Sequence, residues 1–228
     1  MKIGILQTGK AVPEVREEMG EYADIFEALL AGHGFEFDRY MVVDGEFPPG
    51  PDAADGWLIT GSKHGAYEDL PWIGRLEEFI RQVHDAKLPM IGVCFGHQII
   101  AQALGGTVEK FPGGWAVGPQ EYTFEDGTTM RLNAWHQDQV TRVPEGARVV
   151  ASNDFCANAS LMIGDHILTI QPHPEFTAWL VEQLITHRGR GAVPDDLLDE
   201  ALKRLPENDD SARYAQRMAQ FFKEAKHG

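Results

Sequence analysis

The 228-residue chain predicts an α/β fold: an open, mostly parallel sheet with helices on both faces and antiparallel strands in its second half. Three observations carry this expectation. Short apolar runs alternate with stretches of helical periodicity through the first two-thirds of the chain, the pattern of a parallel sheet covered on both faces. After Gly105-Gly106 the helical stretches give way to strand-like runs joined by short polar turns. One apolar run passes through Gly-x-Cys-x-Gly, residues 92–96, straight into a helical pattern, the signature of a nucleophile elbow.

Residues 2–6 form the first buried strand, which ends in polar Gln7-Thr8-Gly9. Residues 22–31 space apolar side chains as a helix does, with Gly32 and Gly34 as stop signals. A second strand is expected over 35–43, a loop at Pro48-Pro49-Gly50-Pro51, and a third strand over 57–60. Residues 72–86 put Trp72, Leu76, Phe79, Ile80 and Val83 on one helix face. Residues 90–93 form the fourth strand and run into a helix over about 95–104. Strands are then expected over 107–111, 115–124, 130–135, 148–152 and 161–170. From Thr177 the chain is helical. Leu197, Leu198, Ala201, Leu202 and Leu205 make one apolar stripe, and Tyr214, Met218, Phe221 and Phe222 another, both expected to pack on the core. Asp195-Asp196 reads as a solvated helix start, where carboxylates suit the helix dipole. The expected organisation is one α/β domain over 1–190, with a C-terminal helical extension over 191–228 packed on it.

Hydrophobic residues make up 43% of the chain and charged residues 24%, enough to bury a sizeable core. Twenty Lys and Arg against 35 Asp and Glu give a net charge of −15. That balance disfavours nucleic acid and anionic membranes as partners. No apolar stretch approaches the roughly 18 residues of a spanning helix, and the start MKIGILQTGK has too short an apolar run for a secretory signal. Two cysteines, Cys94 and Cys156, are too few for a disulfide framework, so a cytoplasmic location is expected.

The segment Met90-Ile91-Gly92-Val93-Cys94-Phe95-Gly96-His97-Gln98 carries the chemistry. A sharp strand-to-helix turn leaves no room for a Cβ at Gly92 or Gly96, and it lifts the sulfur above the sheet edge. The helix that follows aims backbone N–H groups and its positive dipole end at Cys94, which favours a thiolate and can hold an oxyanion. A base is expected at the end of the last apolar strand, Gln171-Pro172-His173-Pro174-Glu175. Residues two apart in extended chain share a side, so Glu175 can orient the His173 imidazole while its other nitrogen faces the sulfur. The prolines bias Gln171 and His173 toward that extended form. Cys156 lacks such a context and reads as a buried structural thiol. His97 is expected to pack behind the site, and His64 to lie in a loop within reach of substrate. No His spacing shared with the cysteine suggests a metal site, and no cofactor is implied.

Together, Gly92-Val93-Cys94-Phe95-Gly96-His97-Gln98, Leu104-Gly105-Gly106, His136-Gln137-Asp138-Gln139-Val140 and His173-Pro174-Glu175-Phe176 resemble the class I glutamine amidotransferases. The flavour is that of the amidotransferase domain of GMP synthetase and its stand-alone relatives, over roughly residues 1–185. The resemblance implies a flavodoxin-like open sheet and hydrolysis of a γ-glutamyl amide through a γ-glutamyl thioester, with release of ammonia. It makes Cys94 the nucleophile, His173 the base and acid, and Glu175 the orienter. It gives the oxyanion N–H groups to Gly61 and Phe95, and the amino-acid end of the substrate to Gln98 and the main chain at His136 and Gln137. Many family members carry Gly-Gly-Pro in the oxyanion loop, where this chain has Thr60-Gly61-Ser62-Lys63-His64. No synthase domain or phosphate loop is read in these residues. The expected partners are therefore L-glutamine or another γ-glutamyl compound, and a separate ammonia-accepting synthase. A stand-alone γ-glutamyl peptidase is the alternative, and a catalytically silent regulatory protein on the same fold a further one.

Overall fold

Four short runs of the sequence, KIGIL, GWLI, MIGV and ILTI, are apolar almost throughout because the strands they form are covered on both faces. The computed structural model describes residues 1–205 and 209–225. Its first half comprises β1 (Lys2–Leu6), α1 (Pro13–Met19), α2 (Tyr22–Leu29), β2 (Glu36–Tyr40), β3 (Gly56–Ile59), α3 (Pro71–Asp85), β4 (Met90–Val93) and α4 (Phe95–Ala103). There follow β5 (Thr107–Lys110), β6 (Ala116–Phe124), β7 (Thr129–His136), β8 (Asp138–Arg142), β9 (Ala147–Ser152), β10 (Ser160–Ile163) and β11 (Ile167–Ile170). The chain closes with α5 (Ala178–Leu184), a π-helical turn at Ile185–Gly189, α6 (Asp195–Arg204) and α7 (Ser211–Ala225).

A nine-stranded sheet runs in the order β2-β1-β3-β4-β11-β10-β9-β6-β7. The strands from β2 to β11 are parallel, and those from β10 to β7 continue antiparallel. This is the α/β architecture expected, with its antiparallel strands in the second half. On one face α2 and α7 bury Phe26, Tyr214, Met218 and Phe222 against Ile3, Ile5, Leu58 and Val93. On the other, α3 and α4 bury Leu76, Ile80, Ile99 and Ile100 against Trp57, Ile59 and Met90. A third cluster joins Val117 and Trp135 to Leu180 and Leu184 of α5 and Leu198 and Ala201 of α6. Both C-terminal apolar stripes thus face the core. α6 begins at Asp195, whose exposed carboxylate pairs with Arg190 at 2.9 Å. No helix among the described residues is long and apolar enough to cross a membrane.

Three elements differ from expectation. The run 161–170 is a hairpin rather than one strand: Gly164, at φ 59°, turns the chain, and β11 returns beside β10 to join β4 in parallel. The 107–111 strand pairs with β8, a strand the sequence did not suggest, in a separate two-stranded sheet. α1 buries a single residue, Val15, so it carries no periodic pattern to read; Pro13 opens its first turn.

Candidate active site

Three neighbouring parallel strands, β3, β4 and β11, end on one edge of the sheet. The residues that leave those ends are Thr60-Gly61, Cys94, and the segment Gln171–Phe176. The Cys94 N–H donates to the Ile170 carbonyl at 2.8 Å, which ties the first residue past β4 to the end of β11. Cys94 itself sits at φ 53° and ψ −103°, a conformation that a residue with a side chain rarely adopts. The neighbouring glycines explain how it is held. A Cβ on Gly92 would lie 2.5 Å from the Gly96 carbonyl oxygen, and one on Gly96 would lie 2.4 Å from that of Ile59. α4 starts at Phe95, so its first N–H groups lie beside the sulfur.

The His173 N–H donates to the Asn133 carbonyl at 2.8 Å, which pins the residue to β7. Its Nδ1 meets Glu175 Oε1 at 2.7 Å, and both side chains are buried. The Phe176 ring stacks on the imidazole, with centroids 3.8 Å apart and planes 7° from parallel. The ring is therefore fixed in plane and tautomer, with Nδ1–H directed to the carboxylate. A Cβ on Gly61 would fall 3.0 Å from His173 Cε1 and 3.7 Å from Cys94 Cβ. Cys94, His173, Glu175 and Gly61 thus converge. Burial disfavours the His173 cation, but the adjoining Cys94 and Glu175 charges outweigh it and raise its pKa well above the ordinary range. Its Nε2 is buried beside a cavity of about 20 Å³ that the ring shares with Cys94, Tyr22 and Arg188.

A larger pocket of about 340 Å³ also opens onto Cys94. Gln98 lines it, and its Nε2 donates to the Asp138 carbonyl at 3.0 Å and to Gln171 Oε1 at 3.1 Å. His136 lines it too. Burial, aided by His173, pushes His136 down to about 3, so its Nδ1–H donates to the Asp138 carbonyl at 3.2 Å while Nε2 has no hydrogen-bond partner among the described residues. The Gln137 carbonyl accepts from the Phe111 N–H at 3.2 Å. The Phe95 ring is buried against Trp72 and does not line the pocket. His64 reaches the pocket and pairs with Glu68 at 3.0 Å. His97 is fully buried behind it, with Nδ1 2.7 Å from Thr169 Oγ1. Cys156 is buried away from it, and burial pushes its thiol up to about 12.

The pocket also holds residues that the sequence did not single out. Asp138 is half-buried, with its pKa raised by burial, and Tyr67 hydrogen-bonds to it. It lies inside the quoted His-Gln-Asp-Gln-Val string, so a signal for it existed. Arg188 comes from the π-helical turn after α5, and nothing local marks it. Among the described residues no group of three His, Cys, Asp or Glu side chains could hold a metal ion.

The sequence profile of the class-I glutamine amidotransferases matches residues 48–186. γ-Glutamyl peptidase 4 of Arabidopsis thaliana is 30% identical over 223 residues, covering 91% of this chain and 89% of that protein. One subunit of the glutamine-hydrolyzing GMP synthase of Saccharolobus solfataricus is 32% identical over 134 residues, 52% of this chain and 65% of that subunit. The crystal structure of a glutamine amidotransferase from Methylobacillus flagellatus superposes with a TM-score of 0.75 at 22% identity, over 100% of this chain and 93% of that one. Profile, relatives and fold agree: this chain is an enzyme of the class-I glutamine amidotransferase family.

Proposed function

We propose that the protein hydrolyses γ-glutamyl amide bonds through a Cys94–His173–Glu175 triad. The observation that carries this reading is the convergence of a strained cysteine, a buried His–Glu pair and a glycine backbone at the ends of three adjacent strands. Cys94 Sγ attacks the γ-carbonyl carbon, and the carbonyl π electrons move onto oxygen. The N–H groups of Gly61 and Phe95 receive that charge; removing one such donor costs about 2.7–4 kcal/mol in related chemistry. The C–N bond then breaks as the His173 imidazolium protonates the leaving nitrogen. Water, deprotonated by the neutral imidazole, attacks the thioester; the C–S bond breaks and glutamate leaves. The 20 Å³ cavity beside Cys94 and His173 is the size of about one water. Gln98, the main chain at His136 and Gln137, and the Asp138 carboxylate receive the amino-acid end of the γ-glutamyl group. Both cysteines are free thiols, which suits a reducing compartment such as the cytoplasm.

The 340 Å³ pocket lies in the range of about 300–1,000 Å³ that holds drug-sized ligands. It receives the γ-glutamyl group, and the similarity to the γ-glutamyl peptidases supports a leaving group larger than ammonia. The similarity to a GMP synthase subunit supports a second reading, in which glutamine is the substrate and ammonia passes to a separate synthase. The test is glutamate and ammonia release by the purified chain from L-glutamine and from a γ-glutamyl dipeptide, with Cys94→Ala as control. Dipeptide turnover supports the first reading, and glutamine turnover alone the second. Either activity surviving in folded Cys94→Ala would overturn the mechanism. Silence on both, with a thiol that still captures a γ-glutamyl electrophile, would point to a site that waits for its partner.

A further inference from the structure

Among the described residues, Arg188 is the one guanidinium that lines both the large pocket and the small cavity at Cys94 and His173. It is half-buried, and the π-helical turn Ile185–Gly189 presents it there; such turns recur at functional sites. Among the described residues it has no carboxylate partner. Other arginines do: Arg39 pairs with Asp24 and Glu27, Arg190 with Asp195 and Asp199, and Arg217 with Asp126. The nearby cations of the pocket are balanced as well, Lys63 by Glu68 and Lys110 by Asp138. The polar neighbour of Arg188 is the hydroxyl of Tyr22, which lines the small cavity and which burial keeps protonated, a donor. An unpaired guanidinium and a phenol thus face the reacting atoms in a protein of net charge −15, which otherwise repels anions.

The side on which they stand decides what they can bind. The leaving nitrogen takes its proton from His173, so the leaving group lies on the His173 side of the sulfur. Gln98 and Asp138 line only the large pocket, Tyr22 only the cavity at His173, and Arg188 stands where the two meet. That cavity, at about 20 Å³, admits little more than the nitrogen itself, so the rest of a leaving group extends past its lining, in which Arg188 is the one cationic side chain other than His173. In a γ-glutamyl dipeptide the terminal carboxylate lies two bonds from that nitrogen.

Building on the function proposed above, we propose that Arg188, aided by the Tyr22 hydroxyl, binds a carboxylate of the leaving group. The preferred substrates are then γ-glutamyl amino acids rather than glutamine or uncharged γ-glutamyl amides. The experiment compares kcat/KM for γ-L-glutamyl-L-alanine and γ-L-glutamyl-L-alaninol, which differ only in carboxylate against hydroxymethyl. The wild-type protein is expected to prefer the acid by about 10- to 100-fold, the range of a hydrogen-bonded charge. Arg188→Gln removes the preference, and Arg188→Lys restores part of it. A wild-type ratio near one overturns the proposal. So does an Arg188→Gln variant that loses both substrates equally, since that assigns the guanidinium to the glutamyl carboxylate or to the scaffold. If Arg188→Gln does not fold, the wild-type ratio and its reduction in Tyr22→Phe decide. Wild-type turnover of neither substrate would overturn the peptidase reading on which this proposal rests, whereas turnover of both at equal rates spares that reading and sinks only this one.

Discussion

Cys94 holds a backbone conformation whose strain is on the order of 1–3 kcal/mol, and the residues around it share the work of keeping the site charged and ordered. His173 is the clearest case. Burial works against its imidazolium, and the neighbouring Cys94 and Glu175 side chains favour it. Removing one of those neighbours must therefore let the His173 proton go at lower pH. Glu175→Gln is expected to move the alkaline limb of kcat/KM down by about 1–3 pH units and to slow turnover less than His173→Ala does. A limb that stays in place would remove Glu175 from the role given to it. His97 works in the opposite direction. Burial, reinforced by His136, pushes it down to about 3, while in the unfolded chain it titrates near its ordinary value of about 6.5. The unfolded state thus binds a proton between those values that the folded state does not. Stability falls as pH drops through that window, by up to about 1.4 kcal/mol per pH unit for this one group. Urea unfolding at pH 6.5, 5.5 and 4.5 measures the slope, and His97→Asn is expected to flatten it by that amount; an unchanged slope would mean His97 is not held neutral.

At the scale of elements, the elbow is a contact between backbones. α4 crosses the end of β3 so closely that the Gly96 α-carbon faces the Ile59 carbonyl. Gly96→Ala is expected to destabilise the protein by about 1–3 kcal/mol through overpacking and to reduce activity by moving Phe95 and the oxyanion N–H. Gly74 is its control. It lies inside α3, where an added Cβ meets nothing within 4 Å, so Gly74→Ala is expected to stabilise by about 0.5–1 kcal/mol. Denaturant midpoints of the two variants should move in opposite directions; a shared direction would refute the close-approach account. The elbow was legible in the sequence because a steric demand of this kind admits one residue type. The 161–170 hairpin was not, because a buried strand and a buried hairpin write the same apolar run, broken here only by Gly164-Asp165.

Across the whole molecule, α7 closes the sheet face that α2 leaves uncovered. Tyr214, Met218 and Phe222 are fully buried there, and the Asp210 carboxylate accepts the Arg131 N–H at 2.8 Å, anchoring the helix start to β7. We infer that residues 1–190 and the helices after them unfold as one unit. All five tryptophans precede residue 180, and none belongs to the cluster that buries α7, so their fluorescence does not report α7 directly. Phe222→Ala is expected to cost about 3–5 kcal/mol and to lower the tryptophan-reported and circular-dichroism midpoints together. A tryptophan transition that does not move would show that the extension folds apart from the sheet.

What the sequence determined by itself is what a local rule enforces. Apolar runs gave buried strands, glycines at 92 and 96 marked a close approach, and His173 and Glu175, two apart between prolines, share one side of an extended chain. Those rules act over a few residues, so they can be read from a few residues. Tertiary structure decided which strands are neighbours, and through that the rest of the site. β11 returns through a hairpin to lie beside β4, which sets His173 next to Cys94 from 79 positions away. Asp138 enters the pocket from β8, and Arg188 from a π-helical turn on the far side of the chain. Neither position satisfies a local rule; each acquires its meaning from the electrostatic and steric company that the completed fold brings to it.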